Sequence, residues 1–227
     1  MFDYYEYMRT LIKKISHPFL KIGLNWYYSK PRKFQYKDSF VMVHPDVFPP
    51  QMTFSTKILL DFIKNFPLQN KTFLELGCGC GIISIYAAKK EAIVTATDIN
   101  KTALEFLEKA AANNSVAITI TESNLFEKLE GKTFDYILIN PPYYPKTPTS
   151  IKDKAWFCGE NFEYFEQLFL QLPHFITPKN EVYMILSQDC NIQNIKAIAL
   201  KNNISFDLIA KKKAAAEKNY IFQLISL

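Results

Sequence analysis

The run Asn140-Pro141-Pro142-Tyr143 holds the most specific chemistry in this chain. It follows the apolar segment Phe134–Ile139, which predicts a buried strand. Two consecutive prolines fix the backbone and remove two N–H donors, so the local carbonyl groups and the Asn140 side-chain oxygen are left as hydrogen-bond acceptors. Acceptors grouped in this way suit an –NH2 group, beside which Tyr143 supplies a flat face. The other interpretation is an Asn-Pro turn followed by a packed tyrosine.

A glycine-rich loop follows a second apolar segment, Thr72–Leu76, and precedes a predicted helix. Its spacing, Gly77-x-Gly79-x-Gly81, lets the backbone turn tightly and approach a ligand closely. The start of the following helix would offer free N–H groups to a carboxylate or a phosphate. The dinucleotide-binding pattern requires glycine at position 82, where this chain has Ile82, so a nicotinamide dehydrogenase is disfavoured. A plain strand-to-helix turn is the alternative.

Asp98 directly follows a third apolar segment, Ile93–Thr97, about 20 positions after Gly77. A carboxylate at this place accepts two hydrogen bonds from the hydroxyl groups of a ribose. By itself Asp98 fits a helix cap or a turn better. Together with the glycine loop, it indicates a ligand with an unphosphorylated ribose.

These three features can act together only if the fold places them at one edge of a sheet. Apolar strand segments alternate with helical segments from about residue 55 onward. The pattern predicts an α/β fold, a doubly wound and mostly parallel seven-stranded sheet with helices on both faces, whose ligand binds beyond the carboxyl ends of the strands. The predicted strands cover residues 72–76, 93–97, 116–120, 134–139, 182–186, 206–210 and 220–225, and the predicted helices cover residues 56–63, 82–90, 101–113, 162–172 and 192–202.

The positive charge of the chain is concentrated near its N-terminus. The 227 residues carry a net charge of +5, but residues 1–37 hold eight bases and two acids, which leaves −1 for the remainder. Aromatic residues are interspersed with bases over residues 18–37, after a predicted helix at residues 2–14. We therefore divide the chain into a basic, aromatic-rich arm (residues 1–45) and one globular domain (residues 46–227). The asymmetry favours a solvated basic surface on the arm, with contact to an anionic partner as the alternative.

Composition excludes several classes of protein. Hydrophobic residues make up 48% of the chain and charged residues 22%, which is typical of a packed domain and not of a disordered chain. The four cysteines form no Cys-x-x-Cys pair and the three histidines lie far apart, so we predict neither a disulfide framework nor a metal site. No apolar run approaches the roughly 18 to 20 residues of a membrane span, and the N-terminus is unlike a secretory signal. We expect a cytoplasmic protein.

The glycine loop, the ribose acid and Asn-Pro-Pro-Tyr, in this order, resemble the class I S-adenosylmethionine-dependent methyltransferases over residues 48–227. Asn-Pro-Pro-Tyr is typical of members that methylate a planar nitrogen, and the chain most resembles the HemK-type protein glutamine methyltransferases. Residues 47–53 and 155–159 carry part of this likeness. The resemblance implies a Rossmann-like methyltransferase fold and S-adenosylmethionine as the cofactor.

The resemblance also implies roles for individual residues. Asn140 and the Pro141 carbonyl would hold the acceptor nitrogen, and Pro142 and Tyr143 would complete the catalytic group. The cofactor-binding residues implied are Glu75, Gly77, Cys78, Gly79, Gly81, Asp98, Ile99, Asn124, Leu125 and Asn140. The loop amides would meet the methionine carboxylate of the cofactor.

The chain departs from the family pattern at three places. Gln51 and Met52 stand where an acidic residue is usual, and Cys158 replaces the first glycine of a pair. Asn124 replaces the aspartate that would hold the adenine amino group, but its side-chain carbonyl can still accept that hydrogen bond. Glu75 either orients the loop, contacts the cofactor or is simply structural.

Three functions remain compatible with the sequence. We predict that it methylates a protein glutamine side chain, as in a translation release factor. The alternative acceptor is an exocyclic base amine, adenine N6 or guanine N2, in RNA or DNA, which the basic arm would suit through phosphate contacts. A more remote alternative is a non-catalytic adaptor with a methyltransferase fold, against which the intact Asn140–Tyr143 run argues.

Overall fold

The computed structural model describes residues 29–214 and 217–227. Residues 1–28, which hold most of the predicted arm and its predicted helix, lie outside the described residues. The strands are β1 (Arg32–Tyr36), β2 (Ser39–Val43), β3 (Thr72–Leu76), β4 (Ile93–Asp98), β5 (Ile118–Glu122), β6 (Tyr136–Ile139), β7 (Glu181–Ser187), β8 (Ile204–Ala214) and β9 (Glu217–Ser226). The helices are α1 (Ser55–Ile63), α2 (Ile82–Lys89), α3 (Lys101–Asn113), α4 (Glu163–Gln171) and α5 (Ile192–Lys201).

Seven of the strands form one sheet in the order β5-β4-β3-β6-β7-β9-β8. Strands β3 to β7 pair in parallel, whereas β9 runs antiparallel to both of its neighbours. The chain winds outward from β3 to β5 on one side and continues from β6 on the other, so the winding direction reverses between β3 and β6. This arrangement confirms the predicted fold, and its switch point is where such sheets bind ligands.

Helices cover both faces of the sheet and create two separate cores. Helices α1, α2 and α3 pack over one face, and α4 and α5 pack over the other. Side chains of β3 alternate between them, because Phe73 belongs to the first core and Leu74 and Leu76 to the second. Burial on both faces explains why the central strands are continuous apolar runs in the sequence. Within residues 29–214 and 217–227, no helix has the length and apolarity to cross a membrane.

The last two strands are longer than predicted. The sequence pattern indicates strands at residues 206–210 and 220–225, but β8 and β9 pair from Ile204↔Ser226 to Ala214↔Glu217. The additional length includes the exposed residues Lys211–Lys213, which backbone pairing holds in the ladder without burial of their side chains. Hydrophobic periodicity detects only the apolar part of such a strand.

The antiparallel hairpin β1–β2 lies outside the seven-stranded sheet. Val41 and Val43 are fully buried in the first core, and the Tyr36 hydroxyl donates a hydrogen bond to Asp61 Oδ1 at 2.7 Å. Residues 32–43, assigned to the arm on charge, therefore pack against the body of the protein. The division of the chain at residue 45 remains a prediction.

Candidate functional site

The sheet order brings the chemical motifs to one cavity. Strands β4, β3 and β6 are neighbours, and their carboxyl ends, together with that of β5, open into a cavity of about 450 Å³. Most of the residues predicted from the sequence line this cavity: Glu75, Gly77, Cys78, Gly79, Asp98, Ile99, Asn124, Leu125, Asn140, Pro141, Pro142 and Tyr143. The separate sequence motifs therefore meet at the switch point of the sheet.

Gly81 is absent from the residues that line the cavity. It precedes α2 with a φ of +70°, and a Cβ atom built on it would lie 2.4 Å from Leu107 Cδ1. Glycine is required here because the backbone is left-handed and α3 packs against it. The structure thus gives Gly81 a packing role, and its predicted contact with a cofactor remains a prediction.

Several amides of the glycine loop donate hydrogen bonds within the protein. The Cys78 N–H donates to the Thr97 carbonyl, the Gly79 N–H to Asp98 Oδ2 and the Gly81 N–H to the Cys78 carbonyl, each at 2.8 Å. These bonds hold the loop in shape before any ligand binds. A ligand carboxylate can therefore be met only by the remaining amides of the loop and of the first turn of α2.

Asp98 is fixed at the end of β4 by backbone amides. Its Oδ2 accepts from the Gly79 N–H and its Oδ1 from the Asn100 N–H, both at 2.8 Å. Burial raises the pKa of Asp98 above its ordinary value, and the backbone bonds from Asn100, Gly79 and Ile99 oppose that shift. A carboxylate has about four lone-pair sites, so Asp98 can still accept a hydrogen bond from a ribose hydroxyl.

Glu75 is a buried carboxyl that faces the start of α2. One of its side-chain oxygens accepts from the Ser84 N–H at 2.8 Å and also from the Ser84 hydroxyl. Burial raises the pKa of Glu75 to about 8. Of the roles considered for Glu75, these contacts favour orientation of the loop and helix, although the side chain also borders the cavity.

The segment after β6, Asn140–Tyr143, forms another wall of the cavity. Pro141 is buried and Asn140 half-buried, and among the described residues no group forms a hydrogen bond with the Asn140 side chain. The ring of Tyr143 packs against the second core and lies 4.8 Å from the Tyr144 ring, centroid to centroid. Burial raises the pKa of Tyr143 far above its ordinary value, so its hydroxyl stays protonated. Because no described group forms a hydrogen bond with the Asn140 amide, this amide is available to a ligand.

Two aromatic side chains at the cavity, Phe48 and Trp156, were not assigned a role from the sequence. The Phe48 and Trp156 rings lie 4.7 Å apart, and both residues line the cavity. The loop that carries Trp156 is tied to the exit of β6, because the Tyr144 N–H donates to the Trp156 carbonyl at 3.1 Å. Their segments, residues 47–53 and 155–159, carried the family resemblance, but only the fold shows that they meet each other.

The departure at the glycine pair is accommodated by packing. The Cys158 side chain is buried in the second core, where a small apolar group fits. Gly159 has a φ of +90°, and a Cβ atom built on it would overlap the Glu163 carboxyl group. Of the two positions of the pair, only position 159 requires glycine, and this chain has glycine there.

Comparison with known proteins places these features in one family. Residues 39–156 match the family model described as the methyltransferase small domain. A Methanocaldococcus jannaschii protein, provisionally assigned as a protein N5-glutamine methyltransferase, is 35% identical over 175 residues, which cover 72% of this chain and 85% of that protein. A Haemophilus influenzae protein named ribosomal RNA small subunit methyltransferase C is 31% identical over 63% of this chain, and the match spans 46% of that relative.

Solved structures show the same fold. One neighbour is an E. cuniculi complex responsible for methylation of the translation termination factor eRF1. It is 20% identical, has a TM-score of 0.60, and the match covers 80% of this chain and 99% of that one. Proteins related to this chain by sequence or fold therefore act on protein or on RNA.

Proposed function

Because this chain belongs to the methyltransferase small domain family, we propose that it transfers a methyl group from S-adenosylmethionine to a planar nitrogen, and that the acceptor is a protein glutamine side chain. The observation that supports this most directly is the position of Asn140 and Pro141, which lie in one cavity with the glycine loop and Asp98.

The cavity suits S-adenosylmethionine in size and in chemistry. Its volume of about 450 Å³ lies within the range of small-molecule sites, roughly 300 to 1,000 Å³. Asp98 would accept hydrogen bonds from the ribose, and Asn124 and the Leu125 backbone would meet the adenine. The remaining loop amides, from Gly77 onward, would meet the methionine carboxylate. When bound, this cofactor supplies an electrophilic methyl group on a positively charged sulfur.

Asn140 and Pro141 would orient the substrate nitrogen toward the methyl group. An amide nitrogen is a poor nucleophile because its lone pair is delocalised. The Asn140 side-chain oxygen and the Pro141 carbonyl would accept its two hydrogens and so hold the nitrogen in place, while Tyr143 provides a flat wall. A strong general base is unnecessary, because the nitrogen loses a proton readily once it carries the new bond. No histidine is among the described residues that line the cavity.

The choice of glutamine rests on the relatives. The M. jannaschii protein covers most of this chain and is named for glutamine N5 methylation. The E. cuniculi complex, which shares the fold, methylates a translation termination factor. We therefore propose a translation release factor as the protein substrate. The cytoplasmic location also stays a prediction, as does an anionic partner for the arm, whose residues 1–28 are not described.

A base amine in RNA is the second candidate, and the end of the β8–β9 hairpin favours it. We call residues 211–214 and 217–220 the hairpin end. Lys213 pairs directly with Lys218 there, and Lys211 lies on the same face beside Tyr220, with its Nζ 5.7 Å from the ring centroid. Like charges directly opposite each other are unfavourable, so an anionic ligand would relieve them.

The hairpin end lies beside the carboxyl end of β7, at the same edge of the sheet as the cavity. The Gln188 N–H, just after β7, donates to the Lys218 carbonyl at 2.8 Å, and β7 is the neighbour of β6, after which Asn140–Tyr143 line the cavity. A nucleic acid on these lysines would run past the cavity entrance, with aromatic rings available for stacking. The H. influenzae ribosomal RNA methyltransferase supports the same alternative.

A methyl-transfer assay on cell extract separates the candidates. We expect labelled S-adenosylmethionine to give a product that survives nuclease and is destroyed by protease, and the reverse would establish the base amine. For the second outcome, the variant with Lys211→Glu, Lys213→Glu and Lys218→Glu should weaken RNA binding and flatten its salt dependence. The control variant carries the same change at three exposed lysines elsewhere, Lys57, Lys64 and Lys132. If the protein binds S-adenosylmethionine but transfers no methyl group to any extract fraction, the result would support the third alternative, a non-catalytic adaptor.

A further inference from the structure

Asn124 lies beside Asp98 at the carboxyl edge of the sheet. It follows β5, which pairs with β4, and the Ser123 N–H donates to the Asp98 carbonyl at 3.1 Å. Asn124 is exposed and lines the cavity. Under the proposed function, on which this inference rests, Asp98 serves the ribose and Asn124 the adjoining adenine.

An asparagine at this place raises a question of orientation that an aspartate would not. The two ends of the amide differ, since the oxygen accepts hydrogen bonds and the nitrogen only donates them. The exocyclic amine of adenine is a donor, so only the Asn124 oxygen can serve it. If the amide turned over, its –NH2 group would face the adenine amine and the hydrogen bond would be lost.

Glu127 determines which end is presented. Its Oε1 accepts a hydrogen bond from Asn124 Nδ2 at 2.8 Å. A carboxylate only accepts hydrogen bonds, so the –NH2 end of Asn124 must face Glu127, and the oxygen is left for a ligand.

The surrounding turn is held without the Glu127 side chain. The Ser123 hydroxyl donates to the Leu125 carbonyl at 2.9 Å and accepts from the Lys128 N–H at 3.1 Å. The Glu127 N–H donates to the Asn124 carbonyl at 3.2 Å, a bond that any residue at position 127 keeps. Loss of the Glu127 carboxylate should therefore free the Asn124 amide and leave the backbone unchanged.

We propose that Glu127 is a positioning residue for cofactor binding, which orients the Asn124 amide so that its oxygen accepts a hydrogen bond from the adenine amine. Glu127 acts through Asn124 and does not itself line the cavity. The pair would replace the single aspartate whose two oxygens need no orientation.

Calorimetric binding of S-adenosylhomocysteine tests this role without requiring turnover. We expect Glu127→Ala to weaken binding roughly 3- to 10-fold, the effect of one modest hydrogen bond. In the Asn124→Asp background the same change should not weaken binding, because a carboxylate presents an acceptor in either orientation. The matched control is Glu130→Ala, which removes an exposed glutamate of the same segment and should leave affinity unchanged.

An analogue with a different base edge gives a second readout. S-inosylhomocysteine carries a carbonyl in place of the adenine amine, so the wild type should bind it more weakly than S-adenosylhomocysteine. In Glu127→Ala the two affinities should be closer to each other, because Asn124 without its partner can turn its –NH2 group toward the carbonyl. A role of Glu127 in folding alone would weaken both ligands equally.

The outcomes separate this inference from the proposed function. If the wild type does not bind S-adenosylhomocysteine, both are overturned. If it binds, but Glu127→Ala binds equally well or the loss is the same in both Asn124 and Asn124→Asp backgrounds, only the role of Glu127 is overturned. Unchanged thermal unfolding of each variant confirms that the comparison concerns folded protein.

Discussion

Asn140 lies beside the buried Pro141, and no group in residues 29–214 and 217–227 forms a hydrogen bond with its amide. Since positioned acceptors of this kind typically contribute about 10² to 10³ in rate, we expect Asn140→Ala to lower kcat by that factor. Affinity for S-adenosylhomocysteine should stay within a few fold, because the glycine loop and Asp98 are unchanged. Steady-state kinetics on the identified substrate, with calorimetric binding alongside, measures both quantities.

Tyr143→Phe is the matched control for this variant. It keeps the flat face and the Asn140 and Pro141 acceptors and removes a hydroxyl whose pKa is far above its ordinary value. We expect it to keep most of the activity. Near-full turnover by Asn140→Ala would show that the acceptor nitrogen is held by other groups.

Glu75 should make stability depend on pH. Burial raises its pKa to about 8 from an ordinary 4.5, so between these values the unfolded chain has released a proton that the folded protein retains. The contribution of Glu75 to the free energy of unfolding therefore falls as pH rises from about 4.5 to about 8 and is constant outside that window. Glu75→Gln keeps an oxygen for Ser84 and removes the titration. Across this pH window, we expect the free energy of unfolding of Glu75→Gln to fall less than that of the wild type, by more than about 1 kcal/mol.

Urea unfolding at several pH values across that window makes the measurement. Glu105→Gln, at an exposed position of α3, is the control and should follow the wild type. A wild-type curve and a Glu75→Gln curve of equal slope would mean that Glu75 is ionised in the folded protein at neutral pH.

At the scale of elements, the close approach of α3 to the start of α2 depends on Gly81. Leu107 is fully buried and cannot move aside without repacking, so Gly81→Ala combines a left-handed backbone with an overpacked contact. Gly131 has a similar φ of +74° but nothing within 4 Å of a built Cβ atom. Gly131→Ala should cost about 1 kcal/mol for the backbone alone. Gly81→Ala should cost roughly 1 to 3 kcal/mol more.

Denaturant unfolding of both glycine variants under the same conditions isolates the contribution of the contact. Equal losses would mean that Leu107 relaxes freely and that α3 does not require a glycine at position 81. Partial rescue of Gly81→Ala by Leu107→Ala would confirm the contact directly.

At the scale of the whole molecule, the ring contact between Phe48 and Trp156 joins two distant segments across the cavity. A double-mutant cycle on unfolding should give a coupling of about 0.5 to 1.5 kcal/mol, as for other aromatic pairs. Phe48→Ala should also weaken binding of S-adenosylhomocysteine, because Phe48 lines the cavity.

Phe175→Ala provides the comparison. Phe175 stacks on Phe126 with centroids 4.3 Å apart, and neither ring lines the cavity. This variant should lose stability and keep its affinity for S-adenosylhomocysteine. If Phe48→Ala also kept full affinity, its contact with Trp156 would be structural only.

Local patterns predict the fold, and they predict that most of the proposed site residues lie at one cavity. Apolar strands alternate with helices, and parallel strands end at the same edge, so residues placed just after strands, such as Asp98 and Asn140, could be expected to meet. The sequence predicts such a site because the types of these residues and their positions just after strands are both local features of the chain. The same reasoning predicted the cavity without any knowledge of how the strands are ordered.

Contacts between distant residues required the tertiary structure. No spacing rule indicates that Leu107 packs on Gly81, that Asp98 occupies the Gly79 amide, or that Phe48 reaches Trp156. The hydrogen bond from Asn124 to Glu127 is local in sequence, but its importance is visible only where the cavity makes one end of the amide useful. Periodicity records which side of an element is buried, whereas the partner it meets depends on how all the elements pack together.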